Sequence, residues 1–246
     1  MIEITQDLLL GGRVHLAQPA KGHRAGTDAV LLAASAPVKP GDVVVDVGAA
    51  TGAVGLMAAV REPKGRFVFV EQDPGLAELC RRNCRDNDVQ GEVIIADVLN
   101  RGSRQAAGLM PESADLVLTN PPFLEEGQAR ISPDQGRAAA HALPAGGLEA
   151  WLKACTGLLR PKGRLVLIHR ADRTAECLDI LGKWLWGMEL RFVYPSAERP
   201  AIRVLLSGIK GSRAPLSILP PVILNGPDGR FTPEAEALHR GEATLL

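Results

Sequence analysis

Val43-Val44-Val45-Asp46-Val47-Gly48-Ala49-Ala50-Thr51-Gly52-Ala53-Val54-Gly55 passes from a β-branched run through a loop of small residues into the start of a helix. The run predicts a strand, and the apolar residues after Gly52 predict the helix. In the loop between them only Thr51 carries a side chain that would hinder a ligand. A cofactor can therefore approach the backbone N–H groups and the positive end of a helix dipole. Ala50-x-Gly52-x-x-Gly55 is one substitution from the dinucleotide fingerprint, so the loop by itself does not distinguish one cofactor from another.

Downstream, Arg66-Phe67-Val68-Phe69-Val70 predicts a second strand that ends in Glu71-Gln72-Asp73. An acid at this strand end can fork two ribose hydroxyls, a feature shared by NAD and S-adenosylmethionine sites. A polar helix over 74–87 leads to a third strand, Glu92-Val93-Ile94-Ile95-Ala96, ending at Asp97. Asp97 is placed either to hydrogen-bond an adenine amino group, with Val98 against the ring, or to cap the next turn.

The fourth strand, Asp115-Leu116-Val117-Leu118-Thr119, runs into Asn120-Pro121-Pro122-Phe123. Neither proline has an N–H and each fixes its own φ, so the carbonyls here are held in place and not consumed by an onward ladder. Acceptors from Asn120 and the Pro121 backbone would take both hydrogens of a planar amino group, and Phe123 would stack on the ring that carries it. Such a pocket suits methyl transfer to an exocyclic or amide nitrogen, with most of the rate coming from orientation.

Asp46-x-Gly48, Glu71, Asp97 and Asn120-Pro121-Pro122-Phe123 occur in the order and spacing of Rossmann-like class I methyltransferases, which the middle half of the chain resembles. Gly26-Thr27-Asp28-Ala29-Val30-Leu31-Leu32 is similar to the first helix of a narrower group, the bacterial tRNA adenine-N6 methyltransferases that modify the adenine beside the anticodon of valine tRNA. Leu219-Pro220-Pro221-Val222-Ile223-Leu224 and Gly229-Arg230-Phe231-Thr232 are also similar to that group. The resemblance implies an α/β fold with a mostly parallel seven-stranded sheet, an antiparallel last strand and helices on both faces. It implies S-adenosyl-L-methionine as cofactor, held by Thr27, Asp46, Gly48, Ala50, Gly52, Glu71, Gln72, Asp97, Val98 and Asn120, with Asn120, Pro121 and Phe123 catalytic. Two residues depart from the pattern: Ala50 replaces the usual middle glycine of the loop, and Phe123 stands where the tRNA enzymes often carry Tyr, Phe being more frequent in guanine-N2 relatives.

The 246 residues suffice for one α/β domain with a small appendage. Formal net charge is zero, so a nucleic-acid partner has to be met by a local patch. Between Asp7 and Asp28 there is no acid, while Arg13, Lys21 and Arg24 are present with His15 and His23, which makes this stretch the first candidate for phosphate contacts. Arg199 and Arg203, near a second basic stretch with Lys210 and Arg213, extend the expected RNA-facing surface. Acids near Met1 and the lack of a long apolar run predict a cytoplasmic protein with no membrane segment. Cys80, Cys84, Cys155 and Cys177 lack metal-site spacing and read as reduced, partly buried thiols, with no metal expected.

The remaining elements follow from pattern. Leu8 to Leu16 reads as a hairpin with a Gly-Gly turn, within a lead-in over 1–26 that precedes a methyltransferase domain over 27–246. Thr27 or Asp28 is placed to cap the first helix. The segment 124–143, with Arg130, Arg137 and His141, reads as a lid or substrate loop. Helices are expected over 147–159 and 174–186, and a strand over Arg164-Leu165-Val166-Leu167-Ile168-His169. The strands near 189–194 and 202–206 are joined too briefly for a crossover and must pair antiparallel, which argues against an all-parallel nicotinamide domain. The segment 215–246 is proline-punctuated and expected to wrap the domain edge. An adenine-N6 tRNA methyltransferase is preferred. Guanine-N2 and protein-glutamine N-methyltransferases, an NAD-dependent oxidoreductase and a non-catalytic RNA-binding module are the alternatives.

Overall fold

The computed structural model describes residues 3–22, 24–122 and 146–246. A hairpin of β1 (Ile4–Leu9) and β2 (Val14–Pro19) comes first, followed by α1 (Thr27–Ala34). Then β3 (Val43–Val47), α2 (Ala53–Arg61), β4 (Arg66–Glu71), α3 (Pro74–Asp86), β5 (Gly91–Ile95), α4 (Arg101–Ala106) and β6 (Ala114–Thr119) alternate. After the undescribed segment come α5 (Gly147–Leu158), β7 (Leu159–Arg170), α6 (Thr174–Leu181), β8 (Leu185–Tyr194) and β9 (Arg203–Lys210). The chain ends with β10 (Ser217–Ile218), β11 (Val222–Ile223) and α7 (Pro233–Arg240).

Among the described residues seven long strands stand in the order β5-β4-β3-β6-β7-β9-β8, with the short β10 and β11 both on the outer edge of β8. The pairs among β3 to β7 are parallel, and β9 is antiparallel to both neighbours. The reversed strand therefore lies inside the sheet, between β7 and β8. The alternation of side chains divides the core in two. Val44, Phe69, Leu116, Leu118 and Ile168 pack against α1, α2, α3 and α7, whereas Val45, Val47, Val117, Leu165 and Leu167 pack against α5 and α6. Central parallel strands covered on both faces need apolar residues at consecutive positions, which is what Val43 to Val47 supply apart from Asp46.

Three local expectations are corrected. The N-cap of α1 is Gly26, whose carbonyl accepts from the Ala29 and Val30 N–H groups; Thr27 is already helical, and Asp28 is drawn instead to Arg203. The helix expected over 174–186 stops at Leu181, and Leu185 and Trp186 belong to β8, because the sheet pairing of Leu185 with Lys210 overrides helical spacing. The proline-rich end contributes β10, β11 and α7 in addition to covering the edge. Within it Thr232 caps α7 by accepting from Ala235 N–H, and Pro233 follows at the first turn.

Candidate active site

Strand order reverses at β3, whose neighbours β4 and β6 lead the chain away in opposite directions, and ligands in open α/β sheets bind in the crevice beyond the strand ends at such a point. Val47 and Thr119 are register partners on β3 and β6, so Gly48 and Asn120 leave the sheet side by side. Glu71 ends β4 in register with Ile95 of β5, two residues before Asp97. Four strand ends thus bring the predicted motifs to one edge.

The loop after β3 is held nearly peptide by peptide. The N–H groups of Gly48 and Ala49 donate to Val70 O at 2.9 and 3.0 Å, Ala50 N–H donates to Glu71 Oε2 at 2.8 Å, and Gly52 N–H donates to Ala49 O at 2.7 Å. Glu71 Oε1 meanwhile accepts Asp73 N–H at 2.9 Å. Gly48, Ala50 and Gly52 adopt φ of 74°, 49° and 88°, an alternation of left-handed residues that turns successive peptides in opposite senses. Left-handed backbone costs a residue with a Cβ roughly 1–2 kcal/mol, so Ala50 keeps the loop's shape under strain and Glu71 restrains it. At Gly48 a Cβ would also lie 3.0 Å from Trp151 Cζ2, and at Gly55 it would lie 2.3 Å from Phe69 Cε1. The third glycine of the pattern therefore serves close packing of α2 on β4.

Asp46 is 3% exposed and its Oδ2 accepts Gly55 N–H at 2.9 Å. Burial pushes its carboxyl up to about 7, against the Gly55 N–H, which pulls it down, while the charge of Glu71 adds to the rise.

Asn120 is half-buried, yet its Oδ1 is buried without a hydrogen-bond partner among the described residues. An unsatisfied acceptor of this kind costs about 1–3 kcal/mol, a cost that a donor brought by a ligand would offset. The N–H groups of Gly48, Ala49, Ala50 and Gly52, expected from the sequence to face a cofactor, are spent within the loop and on β4, so what the site offers a cofactor and an amine is the acids at the ends of β3 and β4 and the unpaired acceptor just after β6. Pro121 is buried beside it. Phe123, together with Arg130, Arg137, His141 and the rest of the 124–143 segment, lies outside the described residues.

Asp97 is half-buried, and its Oδ1 accepts Leu99 N–H at 2.9 Å, which is the turn-capping geometry; Val98 is 4% exposed in the core. Thr27 is half-buried on the first turn of α1 and Gln72 is exposed. The sequence reading missed Trp151, whose Nε1 donates to Thr119 Oγ1 at 2.9 Å; Thr119 Oγ1 in turn donates to Val47 O at 3.0 Å. A lone Trp on a predicted helix carries no sign of this role.

The expected phosphate patch is not one surface. Arg13 donates to Gly241 O and Val60 O, at the edge of the sheet opposite the strand ends, because α2 runs back from the loop before β4 begins. Arg24 grips both oxygens of Asp7 at 2.8 Å, and Arg203 meets Asp28 at 2.8 Å. Lys21 and Arg199 are exposed. All four cysteines are free and buried. Among the described residues no helix is long and apolar enough to cross a membrane, and no cluster of three or more His, Cys, Asp or Glu side chains is arranged to hold a metal.

Comparison with known proteins agrees with this geometry. The family model for the methyltransferase small domain matches residues 25–184. A tRNA1(Val) (adenine(37)-N6)-methyltransferase of Porphyromonas gingivalis is 33% identical over 176 residues, covering 69% of this chain and 68% of the relative. One of the same name from Aeromonas hydrophila is 33% identical over 187 residues, covering 74% and 75%. Among solved structures, a protein of Agrobacterium tumefaciens described as a predicted O-methyltransferase superposes with a TM-score of 0.74 at 30% identity, over 89% of this chain and 98% of that one. The chain belongs to the methyltransferase small domain family and is an S-adenosylmethionine-dependent N-methyltransferase with the Rossmann-like class I fold.

Proposed function

We propose that this enzyme methylates the exocyclic N6 of an adenine in tRNA, the reaction named for its relatives. The observation that carries this is the buried Oδ1 of Asn120, without a partner among the described residues, next to the Gly48 loop. S-adenosylmethionine, when bound, supplies an electrophilic methyl group. In this reading Asn120 Oδ1 and the Pro121 carbonyl each accept one hydrogen of the amine, drawing the nitrogen lone pair out of the ring system and aiming it at the methyl carbon. Phe123 stacks on the base. Thr27, Asp46, Gly48, Ala50, Gly52 and Gln72 shape the cofactor side, Glu71 takes the ribose hydroxyls, and Asp97 with Val98 frames the adenine. A hydroxyl acceptor, as the Agrobacterium tumefaciens description suggests, has one hydrogen and leaves one of the two acceptors idle.

The exposed Lys21 and Arg199 are proposed to meet RNA phosphates; Arg13, Arg24 and Arg203, each already bonded within the chain, are not among them. Residues 1–26 are proposed as a lead-in to a catalytic domain over 27–246. The test is to incubate the purified enzyme with S-adenosylmethionine and unmodified tRNA transcripts and to analyse nucleosides by mass spectrometry. N6-methyladenosine confined to valine tRNA is expected. N2-methylguanosine, a 2′-O-methyl nucleoside, or methylglutamine in a protein acceptor in its place would overturn the assignment.

A further inference from the structure

Asn83 on α3 and Asn87 at its C-cap stand one turn apart and lie along the outer edge of β2. Asn83, fully buried, accepts Ala17 N–H on Oδ1 at 2.8 Å and donates from Nδ2 to Ala17 O at 2.9 Å. Asn87 repeats the pattern at His15, accepting its N–H at 2.8 Å and donating to its carbonyl at 2.7 Å. Four helical residues rise about 6 Å and two strand residues about 6.8 Å, so two side-chain amides at this spacing imitate successive peptides of a further strand. The imitation satisfies the edge of β2.

The two amides differ in where the second Nδ2 hydrogen goes. That of Asn83 donates to Thr51 O at 2.9 Å, inside the loop that follows β3, whereas that of Asn87 donates to Asn83 O at 2.7 Å, within its own helix. We propose that Asn83 is a positioning residue for the cofactor: β2 orients its amide, and the amide in turn holds the Thr51 carbonyl, so the N-terminal hairpin is a working part of the cofactor site. The physical basis is geometric. An amide group is planar, and fixing Oδ1 and one Nδ2 hydrogen on the Ala17 peptide leaves the second hydrogen a single direction, toward Thr51. The loop has left-handed residues on both sides of Thr51, at Ala50 and Gly52, so a peptide flip there is the distortion to be resisted. This inference rests on the reading of the 48–52 loop as the cofactor loop.

The experiment compares Asn83→Ala with Asn87→Ala in the full chain, using calorimetric binding of S-adenosylhomocysteine. Asn83→Ala is expected to weaken S-adenosylhomocysteine about tenfold, the weight of one buried hydrogen bond lost with a carbonyl left unpaired. Asn87→Ala, which removes the matching pair of bonds to β2 at a more exposed position, should leave that affinity within about twofold. Equal weakening by both variants, or none by either, overturns the proposal. A second readout needs no variant: amide hydrogen exchange of the wild-type chain with and without S-adenosylhomocysteine. Slowed exchange is expected at 48–52 and also at Ala17. Protection of 48–52 without any change at Ala17 overturns the coupling alone, whereas no protection at 48–52 overturns the reading of the loop and the coupling with it.

Discussion

The indole of Trp151 lies under Gly48 while its Nε1 donates at 2.9 Å to the hydroxyl of Thr119, the residue before Asn120. One side chain from α5 thereby touches both the cofactor loop and the strand end that presents the amide, and Thr119 passes the link to Val47 O at 3.0 Å. The floor of the site is a ring on which two strand ends are registered, and Trp151 is 7% exposed.

Trp151→Phe keeps most of the ring beneath Gly48 and removes the donor to Thr119. Its expected effect is a loss of about 1 kcal/mol in urea unfolding, with kcat falling several-fold more than S-adenosylhomocysteine affinity. Trp151→Ala empties the floor and should cost about 3–5 kcal/mol. If the Phe variant matches wild type in both readouts, the indole is filler and the hydrogen bond is idle.

Asn120→Ala should lower kcat by about two to three orders of magnitude, the loss seen when a preorganised polar contact to the reacting group is removed. Binding of S-adenosylhomocysteine should stay within a few fold. Because Oδ1 is buried without a partner among the described residues, ligand-free stability should hold or rise by up to about 1 kcal/mol. Asn120→Asp retains an acceptor oxygen and should keep more activity than the alanine variant. A chain that loses stability and retains turnover on Asn120→Ala would show the amide to be structural.

Ala50→Gly relieves a left-handed φ of 49°. The gain of roughly 1 kcal/mol is offset in part by the greater freedom of glycine in the unfolded chain, leaving a net stabilisation of about 0.5 kcal/mol. Ala50→Val, with a β-branched side chain at the same φ, should destabilise by at least about 2 kcal/mol. Denaturant midpoints at constant m separate the three chains, and a valine variant as stable as wild type would mean the loop is not held in this shape.

Asp46 and His169 are expected to tilt the stability–pH curve in opposite senses. Asp46 is raised to about 7 by burial, so between about pH 4 and 7 the folded chain keeps a proton that the unfolded chain has released. Its contribution is full below about pH 4 and is lost as pH rises to 7. His169, 2% exposed, is pushed down to about 4, chiefly by burial and then by the charge of Arg173. Its contribution is full above about pH 6.5 and is lost as pH falls toward 4. Urea unfolding from about pH 4.5 to 7.5 should therefore show stability rising more steeply with pH in Asp46→Asn and less steeply in His169→Asn. Identical slopes in all three chains would contradict both assignments.

What the sequence determined by itself is the set of structures that depend on bonded neighbours. The Val43 to Val47 run, the small residues up to Gly52 and the two prolines after Asn120 constrain their own backbone: the run is β3, the small residues link it to α2, and the prolines follow the end of β6. Alternation along the chain brought Glu71, Asp97 and Asn120 to strand ends, and a parallel sheet has no other edge on which to collect them. Only the tertiary structure decided what distant side chains meet. Arg13 is used up on carbonyls 47 and 228 residues away, Arg24 on Asp7, and Asp28 and Arg203 on each other, so four groups available in the sequence for a phosphate or a helix cap are already engaged. Trp151 and Asn83 gain their places beside the loop in the same way, through contacts 32 residues apart to Thr119 and Thr51. Backbone preference is local because it arises from sterics within a few bonds, whereas a hydrogen bond needs two groups within 3 Å or so, a distance that chain topology sets.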